Sequence, residues 1–335
     1  MNFTLSRNSL ENFVPAILNR SSERCQGEIV HLEQKIRFCT TKDGVRLAHS
    51  TLGHGPPLVK AANWLGHLQF DLDSPIFRHW TRELSRYHEY VRYDDRGCGL
   101  SDRDVKSSTF EDWVHDLEAV VDSAGLDKFD LLGISQGGAV SIAYAARHPN
   151  RVSHLILYGA SALGWSKIHT SPEEQEEGRA MLTLTRAGWG KDNPTYRQLF
   201  TSLFVPGGTA EQASWFNELQ RKSTSPENAV RFLMEFAQID VLDHLARVSA
   251  PTLVIHTRGD LVNRFEDGRD LATLIRGAHF IPLESKNHIL LEEEPAWQDF
   301  LVETRRFLGV KETEPQRSSK EKELGVKGWL RGPNR

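Results

Sequence analysis

The chain of 335 residues is poor in several features that mark whole classes of protein. Its three cysteines, Cys25, Cys39 and Cys98, form an odd and scattered set. They offer neither a disulfide framework nor metal-ligand spacing, which points to a reducing compartment. No stretch approaches the ~18 consecutive apolar residues of a membrane span. Asn8, Glu11 and Asn12 interrupt the only early segment that could serve as a secretory leader. Charge of one sign is not in excess, with a formal net charge of -4 and a pI near 6.4. Neither nucleic acid nor an anionic membrane surface is therefore expected as a partner. No internal repeat is found. Together these absences predict a cytoplasmic protein with no metal site, and they leave the oligomeric state open.

Hydrophobic residues make up 39% of the chain, enough to bury a large α/β core. Eight strands are expected: Lys35 to Thr40, Val45 to Thr51, Leu58 to Ala62, Glu89 to Tyr93, Phe129 to Ile134, Val152 to Tyr158, Thr252 to His256 and His279 to Leu283. Helical patterns alternate with most of them. Ile76, Trp80 and Leu84 share one helical face within Ser74 to Tyr87. The box Ser108-x-x-Glu111 opens a helix carrying Phe110, Trp113, Leu117 and Val120, closed by Gly125. This alternation predicts a mostly parallel sheet with helices on both faces.

The alternation fails between 160 and 248, where aromatic residues punctuate helical segments and no strong strand appears. The segment is expected to be a helical lid inserted between core parts 35–159 and 249–310. Residues 1–34 form a weakly patterned extension, in which Leu10, Phe13, Val14 and Ile17 fit one short helix or a frayed leader. The charged tail 311–335 is expected to be disordered.

The most informative stretch is Gly133-Ile134-Ser135-Gln136-Gly137. A strand enters it and a small-residue helix leaves it. A serine on so sharp a turn needs neighbours without side chains, and its Oγ is pushed out beside the positive end of the new helix. That is a place for a nucleophile. A hydroxyl needs a base, and the base needs an orienting acid. In a sheet of this kind, acid and base follow the nucleophile along the chain. After the strand beginning at Thr252 comes Asp260. After the last strand comes His288, with the apolar pair Ile289-Leu290 to anchor it. Ser135 is read as nucleophile, His288 as general base and then acid, and Asp260 as orienter.

Competing readings exist for each position. Asp260 could be a helix cap. Asp267 and Asp270 are expected on the exposed face of the next helix, and His279 as a packed or solvated histidine. The oxyanion donors are expected to be the backbone N–H groups of Gln136 and Trp64, while Trp64 could equally be a core residue. Asp94, Asp95 and Arg96 read as a loop bracing the elbow.

On Gly-Ile-Ser135-Gln-Gly, on Tyr93 through Asp102, on Thr257-Arg-Gly-Asp260 and on Asn287-His288, the chain resembles the α/β-hydrolase superfamily from about Lys35 to Leu308. The stretch Ala61 to Asp71 and the turn at Cys98 are most similar to hydrolase domains attached to bacterial transcription regulators and nucleotide cyclases. The resemblance implies the α/β-hydrolase fold and a cofactor-free acyl or C–C bond hydrolase. It departs at Ala62-Asn63, where many members carry His-Gly. The serine at the nucleophile position argues against dehalogenases and epoxide hydrolases, which use a carboxylate there. The expected activity is a serine hydrolase of an ester, thioester or lactone. The alternatives are a C–C bond hydrolase or a non-catalytic module that senses a ligand or binds a partner.

Overall fold

The computed structural model describes residues 34–168 and 171–310. The extension and the tail, with the helix expected on Leu10 to Ile17, lie outside the described residues. The strands are β1 (Lys35–Thr40), β2 (Arg46–Leu52), β3 (Pro57–Lys60), β4 (Glu89–Tyr93), β5 (Phe129–Ile134), β6 (Val152–Tyr158), β7 (Thr252–Thr257) and β8 (His279–Leu283). They form one sheet of eight strands in the order β1-β2-β4-β3-β5-β6-β7-β8. β1 and β2 pair antiparallel, β2 is antiparallel to β4, and every later pairing is parallel. All residues of β5 and β7 are buried, as expected for central strands covered on both faces.

The helices before the elbow are α1 (Phe70–Asp73), α2 (Arg78–Ser85) and α3 (Phe110–Ser123). α2 starts later than its periodicity suggests, because Pro75 and a turn on Ser74 occupy the preceding residues. The box that opens α3 is Thr109 with Asp112, not Ser108 with Glu111. Both pairs have the same spacing, but Ser108 instead accepts the Trp113 indole N–H at 3.0 Å. Gly125 ends the helix at φ 71°, a conformation favouring glycine.

α4 (Gln136–Arg147) follows β5 directly. Between β6 and β7 run α5 (Trp165–Ile168), α6 (Pro172–Gly188), α7 (Thr195–Phe204), α8 (Ala210–Ser223), α9 (Pro226–Gln238) and α10 (Leu242–Leu245). This region is helical, as the loss of strand pattern suggested, apart from two isolated bridges at Thr224 and Leu163. α11 (Phe265–Leu274) and α12 (Pro295–Phe307) complete the chain. Asp267 is buried in the first turn of α11 and pairs with Arg264 at 2.9 Å. It is thus not on the exposed face expected of it, because it serves as the N3 partner of that helix's capping box. No helix among the described residues is long and apolar enough to cross a membrane.

Candidate active site

The β5–α4 turn confines Ser135 on all sides. Ser135 N–H donates to Tyr158 O at 2.9 Å, and its own carbonyl accepts from Gly138 N–H at 2.9 Å. Its φ is 51°, and no other non-glycine residue among those described has a positive φ. Such a conformation costs about 1–3 kcal/mol and persists only where its surroundings enforce it. The flanking glycines are what make it possible. A Cβ on Gly133 would lie 2.7 Å from Gly138 Cα and 2.8 Å from Gly137 O, and one on Gly137 would lie 3.0 Å from Ala62 O.

Asp260 follows β7 and His288 follows β8, so parallel neighbours bring their loops together. His288 Nδ1 lies 2.7 Å from Asp260 Oδ2. The other carboxylate oxygen accepts from the N–H groups of Val262 at 2.8 Å and Asn263 at 3.1 Å. Asp260 therefore combines the competing expectations: it organises its loop and also holds an imidazole. Burial alone would raise its carboxyl, but the charge and hydrogen bond of His288, then His256, outweigh burial and hold it below the ordinary range. An ionised Asp260 beside Nδ1 favours the tautomer that keeps a proton on Nδ1. His288 Nε2 is buried and has no hydrogen-bond partner among the described residues.

Several residues that fix this imidazole carry no sequence signal of their own. A Cβ on Gly159, at φ 56°, would lie 3.1 Å from His288 Cε1, so the ring rests directly on that backbone. His256 Nε2 donates to Asn263 O at 3.1 Å and stands 3.5 Å from Asp260 Oδ2, giving the acid a second histidine neighbour. Phe204 meets the His288 ring edge-on at 5.3 Å. The expected anchor at Leu290 is present: its carbonyl accepts from His79 Nε2 and Trp80 Nε1, each at 3.0 Å. His279, the rival base, lies exposed at the start of β8.

His79 gives this anchor a pH dependence. Burial pushes its imidazole down to about 4, partly opposed by the hydrogen bond to Leu290. It folds neutral, with Nε2 protonated and Nδ1 bare in the core. Between pH 6.5 and 4 the unfolded chain takes up a proton that the folded one refuses, so stability falls as pH drops through that window. The expected loss is on the order of 3 kcal/mol at 1.36 kcal/mol per pKa unit. Thermal melts should show the fall in the wild type and a shallower one in His79→Gln, which retains a donor for Leu290.

Ser135 lines two chambers. The inner one, about 60 Å³, also includes His288, Lys60, Arg92, Phe77 and Ile289. The outer one, about 350 Å³, includes Gln136, Trp165, Met181, Phe204, Phe236 and Leu261. Trp64 lines both. Its indole stacks on Trp189 at 5.2 Å and meets Phe200, Phe232 and Phe236 within 5.9 Å. Its side chain is therefore core. Of the other aromatic residues in the insertion, Trp189 is buried behind Trp64, and Trp215 packs on Phe70 at 4.9 Å away from both chambers.

Beneath the elbow, Asp95 accepts from Gln136 Nε2 at 3.5 Å, and Arg96 bridges Asp116 and Asp43 at 2.6 and 2.8 Å. Burial raises Asp94 to about 7 and Asp95 to about 8. This loop braces the turn as the sequence suggested, but Asp94 also reaches the inner chamber. Asn63, at the departure from the His-Gly pattern, donates from Nδ2 to Ile134 O at 2.7 Å and so ties its loop to the residue before Ser135.

The sequence matches the model of the family described as the alpha/beta hydrolase fold over residues 64–295. The chain belongs to that family. Among curated proteins it is similar to AB hydrolase superfamily protein YisY of Bacillus subtilis, 28% identical over 77% of this chain and 94% of the relative. It is also similar to pyrrolizixenacetamide deacetylase of Xenorhabdus hominickii, 26% identical over 82% of this chain and 95% of the relative. An esterase structure from Exiguobacterium antarcticum superposes with a TM-score of 0.68 at 21% identity, covering 81% of this chain and 98% of that one. At that identity the likeness is one of fold.

Proposed function

We propose that the protein is a serine hydrolase that cleaves an ester, thioester or lactone of a small, largely apolar molecule through an acyl-enzyme on Ser135. The observation that carries this reading is the 2.7 Å contact of His288 Nδ1 with Asp260, with Nε2 left without a partner and His288 and Ser135 both lining the inner chamber. Ser135 Oγ gives its proton to His288 Nε2 and attacks the carbonyl carbon. The negative charge on the carbonyl oxygen falls to the N–H groups of Gln136 and Trp64; Gln136 begins α4, where first-turn N–H groups lack intrahelical acceptors. His288 passes its proton to the leaving group, which departs. Water, deprotonated by His288, then releases the acid and restores Ser135. The helical insertion over the outer chamber acts as the lid of this site.

The kinship with a deacetylase favours acyl transfer over a sensing role, since a pure sensor has no use for a serine held at positive φ beside an Asp-paired histidine in one chamber. The test is labelling with a fluorophosphonate, followed by peptide mapping. A single adduct on Ser135, lost on mild denaturation before treatment, is the expected result. Folded protein that binds apolar ligands yet leaves Ser135 unlabelled would overturn the reading in favour of sensing.

A further inference from the structure

The two chambers that meet at Ser135 differ in more than size. His288 lines the inner one and not the outer, whereas Gln136 lines the outer one and not the inner. A leaving group must take its proton from the imidazole, so it departs on the side of the inner chamber. The carbonyl oxygen faces the Gln136 N–H, so the acyl chain extends into the outer chamber, whose walls are mostly apolar.

The inner chamber has apolar walls but a polar floor. Parallel pairing of β3 with β4 sets Lys60 beside Arg92. Arg92 Nη1 donates to Asp71 Oδ2 and Thr81 Oγ1, each at 3.2 Å, and Nη2 donates to Leu68 O. Lys60 Nζ donates to Asn63 Oδ1 at 2.6 Å. Both oxygens of Asp94 accept backbone N–H groups, from Leu68 at 2.9 Å and Leu100 at 2.8 Å. Two groups are left over. Asp71 Oδ1 and Arg92 Nε are buried with no hydrogen-bond partner among the described residues.

A buried acceptor and a buried donor left unpaired each carry an uncompensated desolvation penalty. A ligand that both donates and accepts recovers that cost. The floor holds two basic and two acidic side chains, Lys60 and Arg92 against Asp71 and Asp94, so its formal charges balance and it presents both signs to a ligand. The chamber of about 60 Å³ has room for about four to six water-sized groups at ~10–15 Å³ each.

We infer that the inner chamber is the leaving-group site of the proposed hydrolase, built for a short uncharged alcohol that bears a second hydroxyl or a carboxamide, while the large apolar acyl part occupies the outer chamber. This rests on the serine-hydrolase reading and adds a polarity to it: acyl chain long and apolar, leaving group small and polar. The bonds are those of ordinary acyl transfer, with the ester oxygen leaving on the proton from His288.

The experiment compares 2-hydroxyethyl octanoate with ethyl octanoate on the full chain. The hydroxyethyl ester should have the higher kcat/KM by about tenfold, the worth of one net hydrogen bond. In Asp71→Asn the amide oxygen stays on Arg92 and an NH₂ stands where the free acceptor was, so the ratio should fall below about threefold. A second measurement needs no variant. The acyl-enzyme formed from nitrophenyl octanoate is allowed to partition between ethane-1,2-diol and ethanol at equal concentration, and the diol ester should prevail well beyond the statistical factor of about two expected from its two hydroxyls. Equal kcat/KM values, a merely statistical partition, or an unchanged ratio in Asp71→Asn overturns the inference while the hydrolase reading stands. If neither ester is turned over and Ser135 takes no fluorophosphonate, the hydrolase reading itself falls and this one with it.

Discussion

Replacing Ser135 by alanine is expected to lower kcat toward a nitrophenyl ester by roughly 10⁴–10⁶-fold, leaving only the turnover that donors and binding supply without a nucleophile. Folding should be untouched, because alanine suffers the same positive φ as serine. Glycine at this position separates chemistry from stability. Ser135→Gly should be equally inactive, yet it relieves a conformation worth about 1–3 kcal/mol and should melt higher than the wild type. The measurement is paired: steady-state rates and thermal midpoints for wild type, Ser135→Ala and Ser135→Gly. Near-normal turnover by Ser135→Ala would remove the serine from the chemistry. A glycine variant that melts lower would mean the elbow is held by contacts of the serine side chain and not in spite of its backbone.

The second large effect is expected at Asp260. Asn in its place keeps the shape but offers an NH₂ toward Nδ1, which forces the proton onto Nε2 and leaves the base facing the wrong way. A loss of about 10⁴-fold in kcat is expected. The loss should not add to that of Ser135→Ala, because base and acid act only through the hydroxyl. The double variant should match Ser135→Ala within about threefold. A conserved rate in Asp260→Asn would mean that His256 or the loop N–H groups, not the carboxylate, orient the ring.

Much of this was legible in the sequence, and for definite reasons. β5 and β7 are short apolar runs flanked by loop residues, so their length and composition give their identity, with the bounds of β5 matched and β7 running one residue further, to Thr257. The order of Ser135, Asp260 and His288 follows from strands that all end on the same side of a parallel sheet. The opening of α3 was one residue off because Ser108 and Thr109 stand in the same spacing to an acid, and only tertiary contacts with Trp113 decide between them. Asp267 was misplaced because its residue type suggests solvent, whereas its helix start needed a partner. The floor of the inner chamber was invisible for a deeper reason. Lys60 and Arg92 are neighbours only through strand register, and Asp71 joins them across a turn, so no local spacing announces the group. A lysine within the apolar run of β3 was the one available hint. Gly159 likewise shows its purpose only when the His288 ring is laid on it.

The way His288 is suspended limits how the site can open. Its N–H donates to Phe204 O at 2.8 Å, the next N–H donates to the same oxygen at 3.2 Å, and Gly207 N–H donates to Asn287 Oδ1 at 2.8 Å. The end of α7 is therefore a hanger for the His288 loop. Swinging α7 outward would break those three bonds and drop the imidazole out of line at the moment a substrate arrives. α5 and α6, whose Trp165 and Met181 wall the outer chamber, make none of these bonds to residues 287–289. In the proposed enzyme, a shift of those two helices would widen the outer chamber and leave the imidazole where it hangs.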